Sequence, residues 1–139
     1  MFLEDNDYRI VCTDEDLEVI TEGDREARIE AEKSAQEEVE SYLRSRYDTA
    51  QAYAMKGKAR NAMLVRITVC IALYYLGQRL PQFMGSEQRE TMYENAHKLL
   101  RDIAGSKAVP DMPKYATATD EDTNNPMRFG SMAKQRYDY

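Results

Sequence analysis

"RNAMLVRITVCIALYYLGQRLP", residues 60–81, sets how this chain folds. It is the most apolar stretch of the sequence, with an uninterrupted uncharged run from Ile67 to Gln78 and Arg66 set within the apolar part. A bilayer span needs roughly 20 apolar residues. The run falls short of that, so no membrane partner is expected. A helix that is apolar on every side belongs instead at the centre of a helical packing. Pro81 ends it, because proline lacks an N–H and its ring clashes with the preceding turn.

The flanks must then supply the cover. Thr13-Asp14-Glu15-Asp16 reads as a helix start, since the Thr side chain can accept a backbone N–H and acids favour the positive end of the helix. A short helix to about Ile20 follows. Gly23-Asp24 restarts the chain into a long amphipathic helix of about 23 residues, in which Ala35, Val39, Tyr42 or Leu43, and Tyr47 recur at three-to-four spacing. Its other side carries Glu30, Glu37, Glu38 and Glu40 and should be solvated or face a partner. From Asp48 to Lys58 the pattern fails and a loop is expected. After the apolar helix, Gly85-Ser86-Glu87 caps a fourth helix, with Met92, Tyr93, Ala96, Leu99, Leu100 and Ile103 on one face. Gly105 closes it, as a residue free to turn left-handed. Four helices with no strand pattern predict an all-α fold, a compact antiparallel four-helix domain over residues 1–105.

Residues 106–139 differ in character. Pro110, Pro113 and Pro126 break any helix, and the acids Asp120, Glu121 and Asp122 precede the bases Arg128, Lys134 and Arg136. This reads as an extended C-terminal arm, with too little apolar surface to offset an ordering entropy of about 1–2 kcal/mol per residue. The expected behaviour is disorder in the lone monomer and order on docking. Aromatic side chains bury large areas at low entropy cost and are common anchors at interfaces. Tyr115, Met127, Arg128, Phe129, Arg136, Tyr137 and Tyr139 are therefore the candidate partner-binding residues.

The chain has 139 residues, 42% of them hydrophobic, enough for one core. Its net charge of −6 hides an imbalance: residues 1–40 hold 15 acids and 4 bases, whereas residues 41–139 hold 10 acids and 15 bases. Without a basic excess over the whole domain, sequence-specific DNA recognition is disfavoured. In a head-to-tail assembly each copy presents one surface and receives another. Glu30, Glu37 and Glu40 of one copy could thus face Arg44, Arg46, Lys56, Lys58 and Arg60 of the next. Cys12 and Cys70 are too few for a disulfide framework and read as small buried hydrophobes suited to a reducing cytoplasm. Met1-Phe2-Leu3-Glu4-Asp5 lacks the pattern of a secretion signal.

Catalytic chemistry finds little support. A nucleophile needs a base and a group to orient it, and the one histidine, His97, sits between Ala96 and Lys98 and reads as a surface or edge residue. Neither a phosphate-binding glycine loop nor a zinc spacing is present. Glu37 and Glu40, and Glu87 and Glu90, stand three apart as magnesium-binding pairs can. No second acidic pair follows between Arg60 and Met84. Asp120 to Asn125 resembles the opening of a calcium loop but lacks its glycine, and Ser131 stands where the bidentate Glu belongs. No catalytic, cofactor-binding or metal residue is expected, and no cofactor.

Three segments, "SAQEEVESYLRSRYD", "CIALYYLGQRLP" and "YENAHKLLRDIAGSK", are similar in order and spacing to the Mu-type tailed-phage head-completion, or head–tail connector, proteins. The likeness covers roughly residues 8 to 113. The opening "FLEDNDYRIVCTDEDLEVI" and closing "RFGSMAKQRYDY" resemble the version in phages of gut Bacteroidetes. What the resemblance implies is a structural adaptor rather than an enzyme. Such proteins form a ring, generally of twelve copies, between the portal protein and the downstream adaptor, stopper or tail proteins. Double-stranded DNA passes through the channel without being read. The expected location is the head–tail interface of the virion, after assembly in the host cytoplasm, with the arm after Ser106 reaching the portal or an adjacent subunit. The alternatives are a small helical protein-binding regulator and a carboxylate-metal nucleotide hydrolase.

Overall fold

Residues 1–83 and 86–115 are described by the computed structural model, and within them the structure is helical without strands. Five α-helices form: α1 (Asp14–Thr21), α2 (Arg25–Leu43), α3 (Thr49–Ala54), α4 (Ala62–Gln78) and α5 (Glu87–Ala104). Short 3-10 turns cover Asp5–Ile10, Gly57–Ala59 and Pro81–Phe83. The apolar stretch is indeed the central helix. Leu64, Ile67, Val69, Ile71, Leu73 and Leu76 of α4 are each no more than 2% exposed.

Sequence-local chemistry starts most of these helices. Side chains of Thr13, Asp24, Asp48 and Asn61 accept the N–H of Asp16, Ala27, Gln51 and Leu64 at 2.9–3.1 Å, satisfying donors that have no partner within the helix. Ser86 precedes α5 as expected, but its side chain makes no capping hydrogen bond. The stop of α5 also differs from expectation. Gly105 has φ −88°, and the left-handed turn is made by Ser106 at φ 67°. Arg46 braces that strained residue through its hydroxyl.

Two boundaries depart from the periodic reading. α2 is 19 residues long, and Tyr47 is buried beyond its end. The segment expected as a loop contains α3, begun by the Asp48 cap and held by the buried Tyr53 hydroxyl, 2.9 Å from Thr68 of α4. So short a helix shows no clear period.

The side-chain pairings give the helix directions. Tyr93 and His97 follow one another along α5 as Glu38 and Tyr42 do along α2, so those two helices run in the same sense. Asp24 at the start of α2 meets Arg79 just past the end of α4, so α4 runs against α2, and therefore against α5. The chain returns from α2 to α4 through α3, and from α4 to α5 through the turn at Pro81–Phe83.

Candidate functional site

The residues expected to carry intersubunit charge divide into two groups. Arg60 is turned inward, its side chain 9% exposed, and grips Asp7 at 2.6 and 3.1 Å, the Phe2 carbonyl at 2.8 Å and Glu4 at 3.5 Å. Arg46 donates to the Ala104 carbonyl at 3.1 Å. Glu40 accepts from Gln36 at 2.9 Å and Thr49 at 2.8 Å, joining α2 to α3. These three side chains bind the subunit to itself. Glu30, Glu37, Arg44, Lys56 and Lys58 stay at the surface, although Arg44 pairs with Glu37 at 3.0 Å and Lys56 reaches the Met1 carbonyl at 3.3 Å.

The two signs of charge cluster beyond opposite ends of α2, roughly 29 Å apart for a helix of that length. Six acids and no base lie from Asp14 to Asp24, whereas six bases and one acid lie from Arg44 to Arg66; of these, Asp14 is paired with Arg9, Asp24 with Arg79, and Arg46 and Arg60 are bound within the subunit. All six acids are exposed.

Of the α2 acids expected to be solvated or to face a partner, Glu30 and Glu37 are exposed, whereas Glu38 carries a half-buried junction. Glu38 is half-buried, and its carboxylate accepts the hydroxyls of Tyr75 on α4 and of Tyr93 on α5, the latter at 3.0 Å, and contacts His97 Nε2. Tyr42 lies 3.3 Å from His97 Nδ1, and Tyr74 stacks on Tyr93 with ring centroids 3.9 Å apart. His97, read as a surface or edge residue, is thus 15% exposed within an aromatic cluster. Burial, and then the hydrogen bond to Glu38 and its charge, push the Tyr75 hydroxyl up to about 12 and raise the Tyr93 hydroxyl as well. Spacing contained part of this signal: Glu38 and Tyr42 are four apart on one helix, as are Tyr93 and His97 on another. Their meeting depends on the register of two helices more than forty residues apart in sequence, which no periodicity encodes.

A second buried carboxylate, Glu32, accepts from the Tyr8 hydroxyl at 2.6 Å and from Arg28 at 3.0 Å, and Arg28 also reaches Asp5 at 2.8 Å. This pins the N-terminal turn to α2. Cys70 is buried and Cys12 half-buried, and burial pushes both thiols up. Such thiols supply little thiolate and are poor nucleophiles. Among the described residues, no three His, Cys, Asp or Glu side chains converge as metal ligands, and no helix is long and apolar enough to cross a membrane.

The opening of the arm, as far as residue 115, lies on the body rather than extending from it. Met112 is 8% exposed, the Pro113 carbonyl accepts the Asp48 N–H at 2.9 Å, and the Asp111 carbonyl accepts the Asn61 side chain at 3.0 Å. Tyr115, expected as a partner anchor, donates its hydroxyl to the Arg44 carbonyl at 2.8 Å and remains 48% exposed. Met127, Arg128, Phe129, Arg136, Tyr137 and Tyr139 lie outside the described residues, as do the acids of the calcium-like stretch.

Among known proteins, the family model described as bacteriophage Mu, Gp36 matches residues 4–129. No curated protein and no solved structure matches the chain.

Proposed function

Because the chain belongs to the bacteriophage Mu Gp36 family, we propose that it is a structural virion protein, an adaptor that completes the phage head by forming a ring between portal and tail. The match carries this reading, since it takes in the helical body and continues into the arm as far as residue 129. The charge layout is compatible with it. Opposite signs beyond the two ends of α2 suit contacts between unlike surfaces of neighbouring copies, and such complementarity sets register and partner choice more than raw affinity. Affinity would come from apolar and aromatic contacts repeated around the ring, where each bond raises the effective concentration for the next.

In this reading the role is mechanical. The body forms the ring wall, the strap from Lys107 to Tyr115 fixes where the arm departs, and the arm grips the portal or an adjacent subunit. The ring has about twelve copies and lets double-stranded DNA pass without reading its sequence. Purified virions test the proposal. Mass spectrometry should find the chain in particles, and imaging of the vertex should place about twelve copies between portal and tail. A chain absent from particles but bound to another complex in infected cells would instead make it a helical regulator. Magnesium-dependent nucleotide turnover abolished by both Glu37→Gln and Glu40→Gln would make it a hydrolase.

A further inference from the structure

Between α4 and α5 a hollow of about 140 Å³ is floored by Ile67, Cys70, Met92, Ala96 and Leu99. Its lips are Arg66 of α4 and Asn95 of α5. Arg66 is the single charged residue of α4, is exposed, and makes no hydrogen bond or ion pair among the described residues. Along the α5 edge Gln88, Thr91 and Asn95 are neutral, Lys98 is exposed and Asp102 is half-buried, whereas Glu94 belongs to the hollow it shares with Tyr93 and Arg101. The space is close to the roughly 150 Å³ that admits a benzene molecule in a protein interior. One small branched apolar side chain therefore fits it.

Among the described residues the large apolar side chains left exposed are Met1, Ile10, Val19, Val109 and Tyr115. Tyr115 is held at Arg44, Lys56 reaches the Met1 carbonyl, Val109 follows Lys107, and Ile10 follows Arg9 and lines a hollow of mixed sign with Asp7, Lys58 and Arg60. Each of these four has a base beside it. Val19 instead has Glu15, Asp16, Glu18 and Glu22 around it on its own helix, all exposed and without an ion pair among the described residues. Asp14 and Asp24 of the same cluster are paired with Arg9 and Arg79, and Arg28 is paired as well, so Arg25 and Arg89 are what stands at this end against the four acids. We infer that Val19 of one copy seats in the α4–α5 hollow of the next, with Arg66 meeting the acids that surround it. A copy does not fill its own hollow, because Leu17, Ile20 and Thr21 bury the other side of α1 and turn Val19, 56% exposed, away from the body. Knob and hollow are unlike surfaces, so the contact runs head to tail, as a ring requires. One such contact is small, and closure of the ring strengthens it by effective concentration. The inference rests on the adaptor reading for the neighbour and gives that neighbour its point of contact.

The full-length chain carrying Val19→Cys and Asn95→Cys tests the contact, both concentrated in solution and assembled into particles. Mild oxidation should join position 19 of one copy to position 95 of the next, as read by mass spectrometry of the linked peptides. The native Cys12 and Cys70 should react little, since burial pushes their thiols up. Adding Arg66→Glu, at an exposed position, should cut the yield of that link about tenfold while circular dichroism stays unchanged. Glu15→Arg with Glu22→Arg should do the same, and combining the two sets should restore part of the yield. Links only between two positions 19 or two positions 95, no 19-to-95 link in either preparation, or a yield indifferent to these reversals would overturn the inference. The 19-to-95 link in a chain absent from virions would sink the adaptor reading alone; a chain that rings the vertex without the link would sink this contact alone.

Discussion

Glu38 of α2 accepts the hydroxyl of Tyr93 of α5 at 3.0 Å, and the same carboxylate takes Tyr75 of α4, so one side chain joins the three long helices. Removing it strands two half-buried hydroxyls. Glu38→Ala should lower the stability by about 2 kcal/mol, the scale of leaving buried donors unsatisfied. Glu38→Gln should cost less, because its carbonyl still accepts one of them. Urea unfolding measures both, and an unchanged midpoint for the alanine variant would refute the junction's structural role.

The same junction predicts an alkaline limit. Tyr75 ordinarily titrates at 10.0 and is pushed up to about 12 in the folded protein by burial and by Glu38. Between those values the unfolded chain releases the proton while the folded chain keeps it, so the unfolded state binds fewer protons and stability falls as pH rises. The contribution is complete below the ordinary value of 10.0 and is lost as pH climbs toward about 12. Tyr75→Phe should flatten that part of the profile. Thermal unfolding across roughly pH 8 to 12 would show it, and parallel profiles for the two proteins would contradict the assignment.

Arg60 predicts a different failure. Its guanidinium bridges Asp7, Glu4 and the Phe2 carbonyl across the start of α4, with the Asp7 side chain only 11% exposed. Arg60→Ala leaves that carboxylate without its partner and should cost about 3 kcal/mol. Hydrogen exchange should accelerate first in the N-terminal turn, Asp5–Ile10. Exchange that rises uniformly, or not at all, would argue against a local anchor.

The strap separates two truncations. Ending the chain after Tyr115 should leave the helical signal and the unfolding midpoint unchanged, whereas ending it after Gly105 removes the buried Met112 and the Pro113 contact to Asp48. Met112→Ala alone should cost about 2 kcal/mol by the cavity it leaves. Equal stability of the two truncated chains would show that the strap contributes nothing. Under the proposed adaptor role, the chain ending at Tyr115 should fail to join tails to heads.

How much could be read beforehand depends on how local each cause is. The all-α fold follows from residues 60–81, because a run too short for a membrane yet apolar all round has to be enclosed by other helices. Caps at Thr13 and Asp24 were legible since each acts within three residues of itself. Tyr115 could be singled out as an aromatic set apart from the four helices, although its hydrogen-bond partner could not.

Chemistry between neighbours along the chain was thus enough for the helical class, the central helix and most helix starts. Packing alone settled that Arg60 turns inward and Arg46 lies over the end of α5, that Glu38 gathers Tyr75, Tyr93 and His97, and that residues 107–115 belong to the body. The cause is the same in each case. A long charged or phenolic side chain can lie in water or across a neighbouring helix, and which it does depends on partners brought close in space rather than in sequence.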